Sequence, residues 1–410
     1  MADPEGKGRK LRSVVTAIVI SLSSAFIVAP SAPALALGRG AAVAINPEQG
    51  LFKVFEAIEE NRADLALQRV DALIGANPNF RLAHLIRGDL LLARLQPIHT
   101  FGNVMKTVPP ERVEELRAEA LARLRVLKDR LPGTKVPSNL LQLRADQTHA
   151  LVVDSARSRV YVFENSGGKA RYVSDFYVTL GKQGVGKTRE GDQKTPVGVY
   201  WVTANLPRQK LTDFYGAGAF PINYPNPWDR RLGRNGSGIW LHGTPSNTYS
   251  RPPRASDGCI VLANTDLQAL SPYLQVGLTS VVITGEIDWR TPDEIEVDRA
   301  KVAGILDTWR KDWESGNIDK YLSHYSRSFK SSDQDYAAWT SHKRRIGGAK
   351  AWIRIQLSGL SIIRHPEQKN VVETVFQQRY SSNNLSNTMR KRQYWIQEQG
   401  SWKIIYEGAA

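Results

Sequence analysis

The apolar residues of this 410-residue sequence change their spacing twice, and that change limits the possible folds more than any other feature. From about 46 to 131 they recur at helical intervals: Leu51, Val54, Phe55 and Ile58, then Leu65, Val70 and Leu73, then Leu82, Leu85 and Ile86. Between about 142 and 290 they alternate, in "HALVVDS", "RVYVFEN", "SDFYVTLG", "VGVYWVTA", "GIWLHG" and "TSVVITGE". Beyond 297, Ile305, Trp309, Trp313, Tyr321 and Tyr325 return to helical spacing before the strand segments "WIRIQLSGLSI", "VVETVFQQRYS", "RQYWIQEQ" and "SWKIIYEG". One bundle or one sheet cannot absorb such a switch, and the chain is too long for a single ordinary core. The pattern predicts a multi-domain protein: an α-helical, TPR-like module over 37–141, a mostly β domain over 142–290 and an α+β unit over 295–410. Asn77-Pro78 divides two helices that look like a tetratricopeptide pair, with a small helical dimerisation or spacer module as the alternative, and "LPGTKVPSN" (131–139) reads as the linker that ends the last helix.

A content of 41% hydrophobic and 23% charged residues excludes a mainly disordered, collagenous or polytopic membrane protein. The first 36 residues run from Lys7, Arg9, Lys10 and Arg12 through an apolar stretch, Val14 to Val28, to Ala34-Leu35-Ala36. That is the pattern of a secretory signal cleaved after Ala36, with an uncleaved membrane anchor as the alternative. The expected location is the periplasm or cell envelope.

Lys and Arg number 55 against 40 Asp and Glu, and residues 297–410 hold 19 basic against 11 acidic, including Lys343-Arg344-Arg345 and Arg390-Lys391-Arg392. These clusters come without a recognition helix or zinc-finger motif, so no nucleic acid is expected. They read as a solvated face, or as attraction to an anionic envelope surface or to other envelope proteins. The single cysteine, Cys259, excludes an intramolecular disulfide and a multi-thiolate zinc site.

Cys259 lies 17 residues after His242, in "SDGCIVL" (256–262) following "GIWLHGT" (238–244). His242 ends one strand candidate and Cys259 begins another, so both side chains can meet at one sheet edge. An imidazole there can take the thiol proton or stabilise the thiolate, which is the nucleophilic form. Gly258 carries no side chain, and the N–H groups of Gly258 and Cys259 are candidate donors to a developing oxyanion. The spacing permits Cys/His acyl transfer; a lone buried cysteine with a structural histidine is the other reading.

The ordered blocks H-G-T and S-x-G-C-[IV], with "EGDQKTPVGVY" (190–200) upstream, resemble the signature of the YkuD-like L,D-transpeptidase family, over about 145–286. The resemblance implies that Cys259 attacks the diaminopimelate–D-Ala bond of a peptidoglycan stem peptide while His242 acts as base and then acid. It also implies that the Gly243 carbonyl orients the imidazole and that Ser256 braces the loop. Thr244, Asp257 and Trp228 are candidate substrate contacts. Asp257 stands where many members have histidine, and Val261 where many have arginine. Transfer to an amine makes an L,D-transpeptidase; transfer to water makes an L,D-carboxypeptidase; a catalytically silent wall-binding scaffold is the remaining alternative. The C-terminal unit resembles a nuclear-transport-factor-like cone found in cell-shape proteins of this family.

Other signals are weaker. "GKQGVGKT" (181–188) satisfies the phosphate-loop spacing, but Gly191, Pro196 and Gly198 follow where a helix must begin, so it reads as a hairpin turn. The remaining histidines, His84, His99, His149, His324, His342 and His365, form no close pair, and neither a metal nor another cofactor is expected. The turn-rich "YPNPWDRRLGRNGSG" (224–238) reads as a long loop at the mouth of the cleft.

Overall fold

The computed structural model describes residues 46–103, 108–128 and 133–410. The signal segment 1–36 lies outside the described residues. Among the described residues no helix is long and apolar enough to cross a membrane. The described chain forms two compact units: the helices of 46–128 together with Thr244–Pro253, and the remainder.

In the first unit, helices α1 (Pro47–Glu59), α2 (Ala63–Ala76), α3 (Arg81–Leu92) and α4 (Pro110–Lys128) follow the predicted period. Leu51, Val54, Val70, Leu73, Phe80, Leu82 and Ile86 form their shared core. Asn46 caps α1 by accepting the N–H groups of Glu48 and Gln49. This arrangement is compatible with a TPR-like pair.

The expected linker, 131–139, contains strand β1 (Val136–Pro137) and runs directly into β2 (Leu140–Gln142). Val136, Leu140 and Leu141 are buried there, because β2 extends the C-terminal sheet beside Ile362 and Ile363. The turn formers were visible in the sequence; the distant strand that satisfies their backbone was not.

The β domain contains β3 (His149–Asp154), β4 (Arg159–Ser166), β5 (Lys169–Tyr177), β6 (Leu180–Gly181), β7 (Gly198–Trp201), β8 (Leu206–Pro207) and β9 (Gly218–Pro221). A short helix, α5 (Pro227–Arg231), leads to β10 (Trp240–His242), β11 (Arg254–Ser256) and β12 (Ile260–Val261). Helix α6 (Asn264–Leu270), β13 (Ser280–Thr284) and β14 (Trp289–Arg290) complete it. The expected strand "SDFYVTLG" is split, since β5 starts earlier and β6 pairs separately with β11.

The main sheet, ordered β5-β4-β3-β13-β7, is covered on both faces. Leu151 and Val153 enter one core, which it shares with the smaller β12-β10-β9-β8 sheet, while Ala150 and Val152 enter another shared with the C-terminal sheet. Burial on both faces explains the continuous apolar run in β3.

The last unit of sequence folds as α7 (Pro292–Glu314), α8 (Ile318–Ser323), α9 (Tyr336–Gly347) and the long strands β15 (Ile353–Arg364), β16 (Val371–Ser382), β17 (Leu385–Glu398) and β18 (Ser401–Ala409). Thr291 and Glu294 form a capping box at the start of α7. Trp309, Tyr321, Tyr325, Phe376 and Trp395 pack between helices and sheet, as the α+β pattern predicted.

Candidate active site

Strand β10 lies between β9 and β12, parallel to β12, with Leu241 opposite Ile260 and His242 opposite Val261. Leu241 and Ile260 point into the core, so alternation turns His242 and the residue before β12, Cys259, to the other face. The two side chains thus sit one diagonal step apart on neighbouring strands. Cys259 is partly exposed, and its thiol donates to the Gly238 carbonyl at 3.3 Å.

His242 is almost fully buried, and its Nδ1 lies 2.7 Å from the Gly243 carbonyl oxygen. A carbonyl can only accept, so Nδ1 carries the proton and Nε2 keeps the lone pair of a base. Gly243 has no room for a side chain: a Cβ would meet Asn264 Oδ1 at 2.1 Å. Asn264 Oδ1 also accepts the Ala217 N–H, and the Gly243 N–H donates to Tyr215 at 3.0 Å, which fixes the backbone after the histidine.

The turn before Cys259 is held by Ser256, whose hydroxyl donates to the Cys259 carbonyl at 2.7 Å and accepts the Gly258 N–H at 3.2 Å. Through the same bond the Gly258 N–H, a candidate oxyanion donor, serves the turn. Gly258 also meets a steric need. Its φ is +125°, and a Cβ would stand 2.7 Å from the Lys194 carbonyl.

Lys194 belongs to the upstream motif, which packs against this turn. Asp192 accepts from Lys187 Nζ and from the N–H groups of Thr188, Arg189 and Lys194. Burial alone would raise its pKa, but these donors hold it well below the ordinary carboxylate range. The phosphate-loop spacing is therefore an internally braced turn, with Lys187 buried and no helix after it.

The three candidate substrate contacts fare differently. Asp257 is exposed at the turn and pairs with Lys182 at 2.8 Å. Thr244 is buried, with its hydroxyl donating to the Tyr249 carbonyl at 3.2 Å, so it is not presented to a ligand. Trp228 is buried against Tyr394 and His365, at ring distances of 5.1 and 5.8 Å. Loop 224–238 is therefore a wedge against the C-terminal sheet, and its last residue, Gly238, reaches Cys259.

The sequence reading missed three aromatic residues around His242. The rings of Phe214 and Tyr215 lie 5.7 and 5.2 Å from the imidazole, and Tyr215 stacks on Trp240 at 4.8 Å. Phe214 is 49% exposed. The only sequence trace of this wall is the adjacent Phe-Tyr before Gly216, which no periodicity singles out.

The C-terminal domain has its own cavity of about 620 Å³, lined by Trp313, Tyr321, Trp339, Lys343, Lys391 and Glu407 among others. The basic clusters divide there: Arg344 and Arg345 are exposed, as a solvated face predicts, whereas Lys343, Lys391 and Arg392 turn inward. Lys391 pairs with buried Glu407 at 2.6 Å, Arg392 pairs with buried Glu373 at 2.8 Å, and Lys343 Nζ sits 4.2 Å over the Trp339 ring. Desolvation, reinforced by Lys391 and opposed by Glu407, brings Lys343 down to about 8. Among the described residues no three His, Cys, Asp or Glu side chains are grouped to hold a metal ion.

Residues 148–283 match the L,D-transpeptidase catalytic domain YkuD, and residues 301–408 match the Cds6 C-terminal NTF2-like domain. Bd1075 of Bdellovibrio bacteriovorus is similar in structure, with 29% identity, a TM-score of 0.60, and coverage of 67% of this chain and 98% of that one. Pgp2 from Campylobacter jejuni, described as a helical cell shape determining protein, is 26% identical with a TM-score of 0.57, covering 66% of this chain and 95% of that one. No match is found among curated proteins. The chain thus joins a region that matches the YkuD L,D-transpeptidase catalytic domain to one that matches the Cds6 C-terminal NTF2-like domain, and is similar in structure to Pgp2 and Bd1075.

Proposed function

We propose that this protein is an exported peptidoglycan L,D-transpeptidase of the periplasm or cell envelope, acting in wall remodelling and cell shape. The observation that carries the reading is His242, tautomer fixed by Gly243, on the strand face it shares with a partly exposed Cys259.

His242 Nε2 takes the thiol proton as Cys259 Sγ attacks the carbonyl of the diaminopimelate–D-Ala amide. A tetrahedral oxyanion forms. It collapses to a thioester as the C–N bond breaks, and the imidazolium returns its proton to the departing D-Ala amine. An acceptor amine then repeats the steps in reverse order, giving the cross-linked amide and the free thiol. Phe214 and Tyr215 limit water around the imidazole, and the half-exposed Phe214 ring offers an apolar contact for the stem. The name of Pgp2 as a helical cell shape determinant supports a role in shape.

The deciding experiment incubates purified protein with disaccharide-tetrapeptide, with and without an amine acceptor, beside Cys259→Ala. Cross-linked dimer, absent from the variant, is the expected product. Tripeptide alone would reassign the protein as an L,D-carboxypeptidase, and unchanged substrate would leave a silent scaffold. A pair titrating together also predicts a bell-shaped pH–rate profile.

A further inference from the structure

Ten residues of the connection between His242 and Cys259, Thr244–Pro253, belong to the compact helical unit. Within that unit the segment is gripped at several points. The Tyr249 ring lies 4.3 Å from the ring of fully buried Phe80, at the start of α3. The Tyr249 N–H donates to the Asn79 carbonyl at 3.4 Å, and Asn79 Nδ2 donates to the Ser246 carbonyl at 3.3 Å. The Ser250 hydroxyl donates to Glu119 Oε1 at 2.7 Å.

Glu119 is itself part of a buried ionic group on α4. Arg123, one turn further on, donates to Glu119 at 3.0 Å and to Glu48 of α1 at 2.9 Å, and its guanidinium lies 5.5 Å over the Phe80 ring. Apolar residues of the same volume would stabilise a helix pair at least as well, so buried charge of this kind is better suited to fixing a partner's position than to adding stability. The partner here is the 244–253 segment.

The grip continues along the chain to the base. Tyr249 accepts the Thr244 hydroxyl, Thr244 shares its peptide bond with Gly243, and the Gly243 carbonyl in that peptide plane holds His242 Nδ1. We propose that the helical module is a clamp on this segment, and that Tyr249 and Ser250 are positioning residues that hold the Gly243 carbonyl against the catalytic imidazole. The clamp rests on His242 acting as the base for Cys259. Without it the peptide plane after Gly243 gains freedom, and the imidazole loses the fixed orientation on which proton transfer depends.

The single cysteine makes the test specific. In the full-length protein, iodoacetamide alkylation at neutral pH reports on Cys259 alone. The ratio of its rate to that of His242→Gln measures the help given by the imidazole. The same preparations are assayed for kcat and KM on disaccharide-tetrapeptide, with thermal melts to establish folding. Tyr249→Ala is expected to cut both the imidazole-dependent rate and kcat about 10-fold, with KM within about 2-fold. Tyr249→Phe keeps the ring and should retain both, while Ser250→Ala should lose about 3-fold. A folded Tyr249→Ala protein with the wild-type ratio and kcat overturns the clamp. If Tyr249→Ala does not fold, Ser250→Ala decides in the same way. A wild-type protein alkylated no faster than His242→Gln would instead overturn the Cys/His pairing on which the clamp depends.

Discussion

The Lys187 ammonium lies 2.7 Å from Oδ1 of Asp192, inside the turn whose spacing spells a phosphate-binding loop. The lysine that would reach a nucleotide is already spent on a carboxylate, and both side chains are withdrawn from solvent. Lys187→Met leaves Asp192 without its cation and should destabilise the protein by about 3 kcal/mol. Adding Mg-ATP to the wild-type protein should leave the melting temperature unchanged. A thermal shift assay reads both, and an ATP-dependent rise would restore the nucleotide-loop reading.

Gly243 offers a sharper probe of the site. In Gly243→Ala the new methyl group must displace Asn264, since it would otherwise stand 2.1 Å from its Oδ1. The carbonyl that orients His242 moves with it. A shift of this size should lower kcat by about 100-fold with a much smaller change in KM. Steady-state kinetics on disaccharide-tetrapeptide would check this.

Trp228 separates a substrate contact from a structural wedge. Buried against Tyr394 and His365, it should cost about 3–5 kcal/mol on replacement by alanine. At a temperature where Trp228→Ala remains folded, KM for the muropeptide should match the wild type. A raised KM in a protein of unchanged stability would return Trp228 to the binding site.

His365 should make the protein sensitive to mild acid. Burial first, and then the Arg234 guanidinium, push its pKa down from 6.5 to about 3. Its Nδ1 accepts the N–H groups of Glu367 and Gln368, and its ring faces Trp228, so it is held neutral. The unfolded chain binds this proton more readily. The stability contributed by the neutral ring is therefore complete above pH 6.5 and is lost as pH falls from there toward 3. At pH 5 the loss should be about 2 kcal/mol. Chemical denaturation at pH 7.5 and pH 5 measures it, and His365→Gln should flatten the difference.

Much of this molecule is readable from residue order because its signals are local. The helical spacing of Leu51, Val54 and Phe55, the alternation in β3 and β4, and the H-G-T and S-x-G-C blocks each depend on neighbours within a few residues. Position along a strand fixes which face a side chain takes, so placing His242 and Cys259 on one face required only that their two strands lie side by side.

What the sequence could not reveal was decided by partners far away in the chain. Val136 and Pro137 look like linker residues until β14 pairs with them. Lys391 and Arg392 look solvated until Glu407 and Glu373 neutralise them in the interior. Trp228 resembles a cleft residue until the C-terminal sheet covers it. Residue order set the elements and the identity of the candidate reactive pair, because covalent spacing and side-chain period are local properties. Tertiary structure alone decided which polar groups were left to do chemistry, because burial and hydrogen-bond satisfaction depend on what the folded chain brings beside them.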